Sequence, residues 1–321
     1  MKAFTISLND ANQRLDKFVS KSAPFLPSSL MYKYIRLKRI KVNGKKSDIA
    51  QKLNVGDIVE MYIGDEFFPS GEGDYPFLHA KHSPDVVFED DNVILVNKPA
   101  GLIAHEDKNE KYDTLINAIK LYLYNKKEYL PENENSFAVS LCNRIDRNTS
   151  GIVIAAKNAE ALRILNEKIK NREIKKYYLC IVKGTPSPKE GTLKNYLLKD
   201  AASNTVACVP EKTPGALTAI TKYRVIDSRN GYSLLHIELL TGRTHQIRAQ
   251  FAQIGHPLLG DTKYGRVKDF RSTGFYRQAL CSYKLTFDFS SDAGILQYLS
   301  KKTFELDSVP FTEAFYNGNI R

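Results

Sequence analysis

The stretch NRIDRNTSGIVIAA, residues 143–156, decides how the rest of the chain is read. Its second half, Ile152 to Ala156, is an unbroken apolar run after Gly151 and predicts a buried strand. Its first half sets a single carboxylate, Asp146, between Arg144 and Arg147 at the threshold of that strand. Spacing alone favours Asp146 as a helix-cap or turn residue paired with an arginine. The alternative is a nucleophile or general base beside a cation.

Working outward, VVFEDDNVILVNKP (86–99) reads as two strands around an Asp-Asp-Asn turn, and TLINAIKLYLY (114–124) as a helix capped by Asp113 or Thr114. After the Asp146 stretch, NAEALRILNEKIKNRE (158–173) predicts an amphipathic helix with Leu162, Leu165 and Ile169 inward. YYLCIVKG (177–184) is a strand. AITKYRVID and YSLLHIELL form a hairpin around Arg229-Asn230-Gly231, RTHQIRAQFAQ (243–253) is helical, and ALCSYKLTFDF (279–289) is a late strand. Many strands and few helices, without regular βα alternation, predict an α+β fold with a mixed, largely antiparallel sheet and flanking helices.

The first 63 residues read as a separate small α/β module. RLDKFV places Leu15, Phe18 and Val19 on one helical face, and Pro24 and Pro27 interrupt it. Ser28 or Ser29 is expected to cap a second helix with Leu30, Tyr34 and Leu37 as its stripe. Ile40–Val42, the Asn43-Gly44 turn and a closing strand through Val59, Met61 and Ile63 complete it. Residues 64–84, rich in Gly, Pro and Ser, read as a linker, and 85–321 as the second domain.

Charge separates the same regions. Of the net +11, residues 1–63 hold twelve Lys/Arg against five Asp/Glu. Lys33, Arg36, Lys38, Arg39, Lys41, Lys45 and Lys46 lie in one window without an acid. Such a face suits a polyanion, with RNA favoured over a solvated face or a membrane surface, because the apolar groups of this helix are needed for a core. No apolar run approaches the ~20 residues of a membrane span. The N-terminus lacks an apolar leader, which predicts a cytoplasmic protein. The four cysteines are scattered, so reduced structural thiols are expected.

Familiar catalytic templates are missing from the sequence. No phosphate loop, dinucleotide-binding glycine pattern or nucleophile elbow occurs, and the histidines lack metalloenzyme spacing. One carboxylate, aromatic hydroxyls and arginines in a basic chain suit chemistry on RNA with no cofactor and no metal.

Four blocks resemble, in order, those of the RluA-type pseudouridine synthases: VNKPAGLIAH (96–105), NRIDRNTSGIVIAAK (143–157), KYYLCIVKG (176–184) and TGRTHQIRAQFAQIGHPLLGDTKYG (241–265). The N-terminal module resembles the S4-type RNA-binding domain, and the whole chain the branch acting on large-subunit ribosomal RNA. The resemblance implies Asp146 as the catalytic aspartate, Tyr178 as the active-site tyrosine and Arg248 as the partner of the aspartate. Arg144 would fill the space left by a flipped base. Arg147, Arg243 and His245 would contact RNA or hold turns, and Leu258 or Leu259 would wall the pocket. Tyr177 competes with Tyr178, but strand alternation points it the other way. Asn143, Gln250 and Cys281 stand where the family commonly has His, which bears on substrate choice. The expected protein is a monomeric RNA isomerase. The competing expectation is a non-catalytic, RNA-binding ribosome-assembly factor.

Overall fold

The computed structural model describes residues 1–69, 75–200, 202–266, 270, 273–318 and 320. The N-terminal module contains β1 (Lys2–Thr5), α1 (Leu15–Ser22), α2 (Ser28–Arg36), β2 (Ile40–Val42), β3 (Lys45–Lys46) and β4 (Ile58–Met61), with sheet order β1-β4-β2-β3. Leu15, Phe18 and Val19 of α1 are buried, as their spacing predicts. Asn43 and Gly44 both take positive φ, 52° and 70°, and close the β2–β3 hairpin. The core is built wholly from residues 4–68.

Two expectations fail on α2. Pro27, not a serine, holds the N-cap position, and no side chain caps the helix; Ser28 is already inside it. Its buried residues are Met31 and Ile35, while Leu30 and Tyr34 lie at the edge of the core and Leu37 is 57% exposed. Both stripes fit a helical period. Packing against α1 and β2 selects the one a residue further on, a rotation of about 100°.

The stretch read as a linker is anchored at both ends. Phe67 and Phe68 pack on the N-terminal core, and Phe77, stacked on Tyr75, packs on the second; residues 70–74 at its centre lie outside the described residues. The two cores also meet through Asp10, which is fully buried. It accepts hydrogen bonds from Asn135 Nδ2 at 2.7 Å and Ser136 Oγ at 2.6 Å.

The second sheet is assembled from β5 (Asp85–Glu89), β6 (Val93–Lys98), β7 (Ser140–Leu141), β8 (Ser150–Ala156), β9 (Ile174–Lys183), β10 (Glu190–Asp200), β11 (Thr205–Val209), β12 (Leu217–Arg229), β13 (Tyr232–Leu239), β14 (Leu280–Phe287) and β15 (Thr303–Glu305). The path runs β11-β10-β12-β13-β9-β14-β8-β6-β5, with β15 beside β14 and β7 beside β8. Of the pairs among these strands, only β14–β8 is parallel. The helices are α3 (Leu115–Asn125), α4 (Ala159–Lys170), α5 (Gln246–Gln253) and α6 (Pro310–Tyr316). Thr114 caps α3 and Asn158 caps α4, each side chain accepting from the backbone three residues on.

The unbroken apolar run of β8 has a direct cause. Val153 and Ala155 face the core covered by α3 and α5, and Ile152, Ile154 and Ala156 face the core beneath α4. A central strand buried on both faces leaves no position for a polar residue. The β10–β11 hairpin, by contrast, has no counterpart in the sequence reading. β11 is the edge strand with β10 beside it, and of the two strands only Leu197 and Val206 are buried, so their apolar alternation is weak.

Candidate active site

Asp146 lies on the turn entering β8, with its carbonyl accepting from Thr149 N at 3.1 Å. Neighbouring groups hold this turn from several sides. Lys98, fully buried at the end of β6, donates through Nζ to the carbonyls of Pro99, Leu102 and Arg147 at 2.8–2.9 Å. Gly101 N also donates to Arg147 O, and Gln278 Nε2 donates to Thr149 Oγ1. Gly151 has φ +116°, and a Cβ there would lie 2.3 Å from the carbonyl oxygen of Ser282. Only glycine lets β8 approach β14 closely enough to set the Asp146 turn against the sheet. Burial pulls the Lys98 ammonium down to about 7, and the nearby charge of Asp146 opposes that fall.

The carboxylate of Asp146 is 25% exposed, so it opens to solvent on one side. Neither flanking arginine is its partner. Arg248 on α5 reaches it from 102 positions away, Nη1 to Oδ2 at 2.9 Å. The other edge of the same guanidinium grips Asp261 in a bidentate pair, at 2.7 and 2.8 Å. Asp261 is completely buried. Burial alone would lower the Arg248 pKa, but the two carboxylates outweigh it and raise it, so the guanidinium stays charged. The Tyr264 ring lies 5.1 Å from the guanidinium carbon.

Tyr178 on β9 points to the same side of the sheet as this pair and is buried among Cys180, Ile237 and Ile247. Burial pushes its phenol up to about 12, and the charge of Asp146 adds to the rise. Tyr177, one residue away, faces His236 at 5.5 Å between ring centres. Strand alternation therefore separates the two tyrosines as expected. Leu258 packs in the core that contains Tyr178. Leu259 does not: it faces the opposite core with Ile181 and Cys281, because consecutive residues crossing β9 point to opposite sides. Of the two leucines expected as a pocket wall, only Leu258 shares the Tyr178 side of the sheet.

Arg144 and Arg147 are exposed beside the Asp146 turn. Arg243 is also exposed and donates from Nε to Thr218 O at 3.1 Å. His245 is different: its ring faces the Asp146 carboxylate, Nε2 to Oδ2 at 3.8 Å, and its Nδ1 meets Tyr264 Oη at 2.8 Å. On the N-terminal module, Lys33, Arg36, Lys38, Arg39, Lys45 and Lys46 are exposed and Lys41 is half-buried. Among the described residues none of the seven is ion-paired. Arg39 and Lys41 instead lie over the rings of Tyr34 and Tyr62.

The three departures from the family pattern have structural partners. Asn143 Oδ1 accepts from Ile154 N at 2.8 Å. Gln250, fully buried, accepts from Thr221 Oγ1 and donates to Asn195 Oδ1, tying α5 to β12 and β10. Cys281 is buried, and burial pushes its thiol up to about 11. Cys142, the thiol nearest Asp146 in sequence, is pushed up to about 12 by burial and packs toward the core beneath α4. Sequence reasoning missed Asp261, Tyr264 and Lys98 as site residues. All three lie inside the quoted blocks VNKPAG and GDTKYG, so their position in those blocks was the available signal. Among the described residues no cluster of His, Cys, Asp and Glu could hold a metal ion, and no helix is long and apolar enough to cross a membrane.

The sequence model for RNA pseudouridylate synthase matches residues 92–253, and that for the S4 domain matches 13–59. An uncharacterized RNA pseudouridine synthase of Mycoplasma capricolum is 32% identical over 94% of this chain and 96% of its own length. Ribosomal large subunit pseudouridine synthase D of Nitrosomonas europaea is 31% identical over 88% of this chain and 78% of its own. Human RNA pseudouridylate synthase domain containing 4 shares the fold, with a TM-score of 0.57 at 18% identity over 74% of this chain and 93% of that one. These matches lead to one assignment: the chain belongs to the RNA pseudouridine synthase family, in its RluA-type branch, and carries an S4 domain at its N-terminus.

Proposed function

We propose that the protein converts specific uridines of large-subunit ribosomal RNA to pseudouridine, with Asp146, Tyr178 and Arg248 as the working residues. The S4-type module of residues 1–63 and the cations at Lys33–Lys46 bind the RNA backbone, and residues 85–321 perform the isomerisation. The observation that carries this reading is the half-open Asp146 carboxylate, 2.9 Å from a buried arginine and on the side of the sheet that buries Tyr178.

The target base first leaves its stack, at a cost on the order of a few kcal/mol. Phosphate contacts from the basic module, with Arg144, Arg147 and Arg243 beside the cleft, offset that cost, and the Arg144 guanidinium stacks into the space left behind. Asp146 then attacks C1′ or abstracts the 2′ proton, and either route breaks the C1′–N1 bond. The freed uracil turns against Tyr178 and Leu258, C5 bonds to C1′, the C5 proton leaves and N1 gains one. Atoms and electrons are conserved, so the reaction consumes no external oxidant or reductant, and we assign it no cofactor. Arg248 holds the carboxylate in place throughout, since its other edge is fixed by Asp261. We place the protein in the cytoplasm, acting as a monomer.

Asp146→Asn is isosteric and removes the nucleophile. The variant should bind RNA as the parent does and form no pseudouridine. Mapping pseudouridine in ribosomal RNA from cells with and without the protein checks target and reaction together; an unchanged map, or turnover by the Asn variant, overturns the reading.

A further inference from the structure

His245 begins α5 with a left-handed backbone, φ 51° and ψ 20°, which turns its ring inward toward the carboxylate rather than outward to solvent. Its side chain is only 9% exposed. Nδ1 lies 2.8 Å from Tyr264 Oη, and that hydroxyl oxygen accepts the backbone N–H of Val206 at 2.8 Å. Val206 belongs to β11, at the tip region of the exposed β10–β11 hairpin. Lys263 Nζ fixes the same tip by donating to Asn204 O at 2.8 Å.

The donors and acceptors in this chain can be counted. The Tyr264 hydroxyl has one hydrogen, and its oxygen is engaged by an N–H that can only donate. Its hydrogen is left to point at His245 Nδ1, the arrangement in which Nδ1 accepts. A neutral imidazole with Nδ1 accepting carries its proton on Nε2, the atom facing Asp146. Burial keeps the Tyr264 phenol protonated, pushing it up to about 12. Burial also lowers the His245 pKa. Asp146 opposes that fall, Arg248 and Lys263 reinforce it, and Asp261 opposes it weakly.

We propose that His245 is a positioning residue for Asp146, held as the Nε2–H tautomer by Tyr264, and that this relay links the β10–β11 hairpin to the catalytic carboxylate. The proposal rests on the isomerase reading for its kinetic consequence but not for its tautomer. At 3.8 Å the Nε2–Asp146 contact is longer than a hydrogen bond. A small inward movement of the His245 ring would shorten it to one. His245 thus acts on the carboxylate and not on a phosphate.

Two measurements on the full-length protein test this. Long-range proton–nitrogen NMR of the imidazoles, with the His245 signals identified by their loss in His245→Gln, should show Nε2–H in the parent and a change of tautomer population in Tyr264→Phe. An Nδ1–H tautomer in the parent overturns the relay whether or not the protein is an isomerase. In turnover assays on ribosomal RNA, His245→Ala and Tyr264→Phe should each lower kcat roughly tenfold, about the worth of one ordinary hydrogen bond, with KM for RNA nearly unchanged. His245→Gln, which keeps an N–H near the Nε2 position, should recover part of the loss. The acid limb of the kcat profile should change in His245→Gln, because protonating the imidazole turns Nδ1 into a donor and breaks its bond from Tyr264. A raised KM with kcat intact would make His245 an RNA contact instead, and no kinetic change in any variant would remove the link to Asp146. Turnover by Asp146→Asn would instead strike the isomerase reading and leave the tautomer result standing.

Discussion

The protein uses cations in two opposite ways. On the N-terminal module, Lys33, Arg36, Lys38, Arg39, Lys45 and Lys46 are exposed, with no carboxylate partner among the described residues. In the pocket, Arg248 is buried and saturated by two carboxylates in fixed geometry. Exposed charges act through number and proximity to a polyanion, are screened by salt, and tolerate exchange. A buried guanidinium acts through the directions of its N–H groups, and any change leaves a charge stranded. The same residue type is therefore a diffuse field in one place and a rigid clamp in the other.

That contrast can be broken most forcefully at the clamp. Arg248→Met strands the fully buried Asp261, and we expect a loss of about 3–5 kcal/mol of stability in chemical denaturation together with loss of turnover. Arg248→Lys sharpens the test. A point charge cannot span Asp146 and Asp261 at once, so more stability should survive while turnover stays low. Gly151→Ala comes next. It adds a Cβ 2.3 Å from backbone in a conformation that L-residues rarely adopt, and should cost about 2–4 kcal/mol and displace the Asp146 turn, read as a lower urea midpoint and reduced kcat.

A second buried pair extends the comparison through pH. Burial alone would raise the pKa of Glu173, but N–H groups of Ser290 and Ser291 and the buried Lys168 outweigh it and hold the carboxyl at about 2. Its folded pKa lies below the unfolded value. Its stabilisation is therefore complete above about 4.5 and is lost as pH falls from there toward 2. Glu173→Gln should flatten the dependence of the urea midpoint on pH in that window. The smallest effect belongs to the exposed face. Arg36→Ala or Lys33→Ala should change stability by no more than about 0.5 kcal/mol, and reduce the salt slope of RNA binding by roughly one per lost phosphate contact. A strong stability loss there, or none at Arg248, would erase the distinction between field and clamp.

Legibility in the sequence followed locality. The α1 face, the Asn43-Gly44 turn and the β12–β13 hairpin depend on neighbours within a few positions, and each was readable; the cap of α3 was narrowed to Asp113 or Thr114, and the structure selects Thr114. The stripe of α2 was not, because two faces of one helix were both apolar enough and only α1 and β2 chose between them. The β10–β11 hairpin was missed because strands that bury so little need no strict alternation. Strand parity set Tyr177 and Tyr178 on opposite faces and the resemblance chose Tyr178, but Leu258 could not be told from Leu259 without knowing which core each enters.

The order of the motif blocks, the segregation of charge and the two-sided burial of Ile152–Ala156 were settled by the sequence itself, since each rests on residue type and short-range spacing. Spacing along the chain did not say which arginine serves Asp146; the family resemblance named Arg248, and the fold makes that pair. Arg144 and Arg147 are its chain neighbours, yet the ion pair is made by Arg248, 102 positions away, and is braced by Asp261 and overlooked by a histidine that a distant hairpin orients. Such pairings exist only after the sheet has brought α5 to the mouth of β8, because side-chain direction in a folded pocket depends on how elements pack and not on how far apart residues stand along the chain.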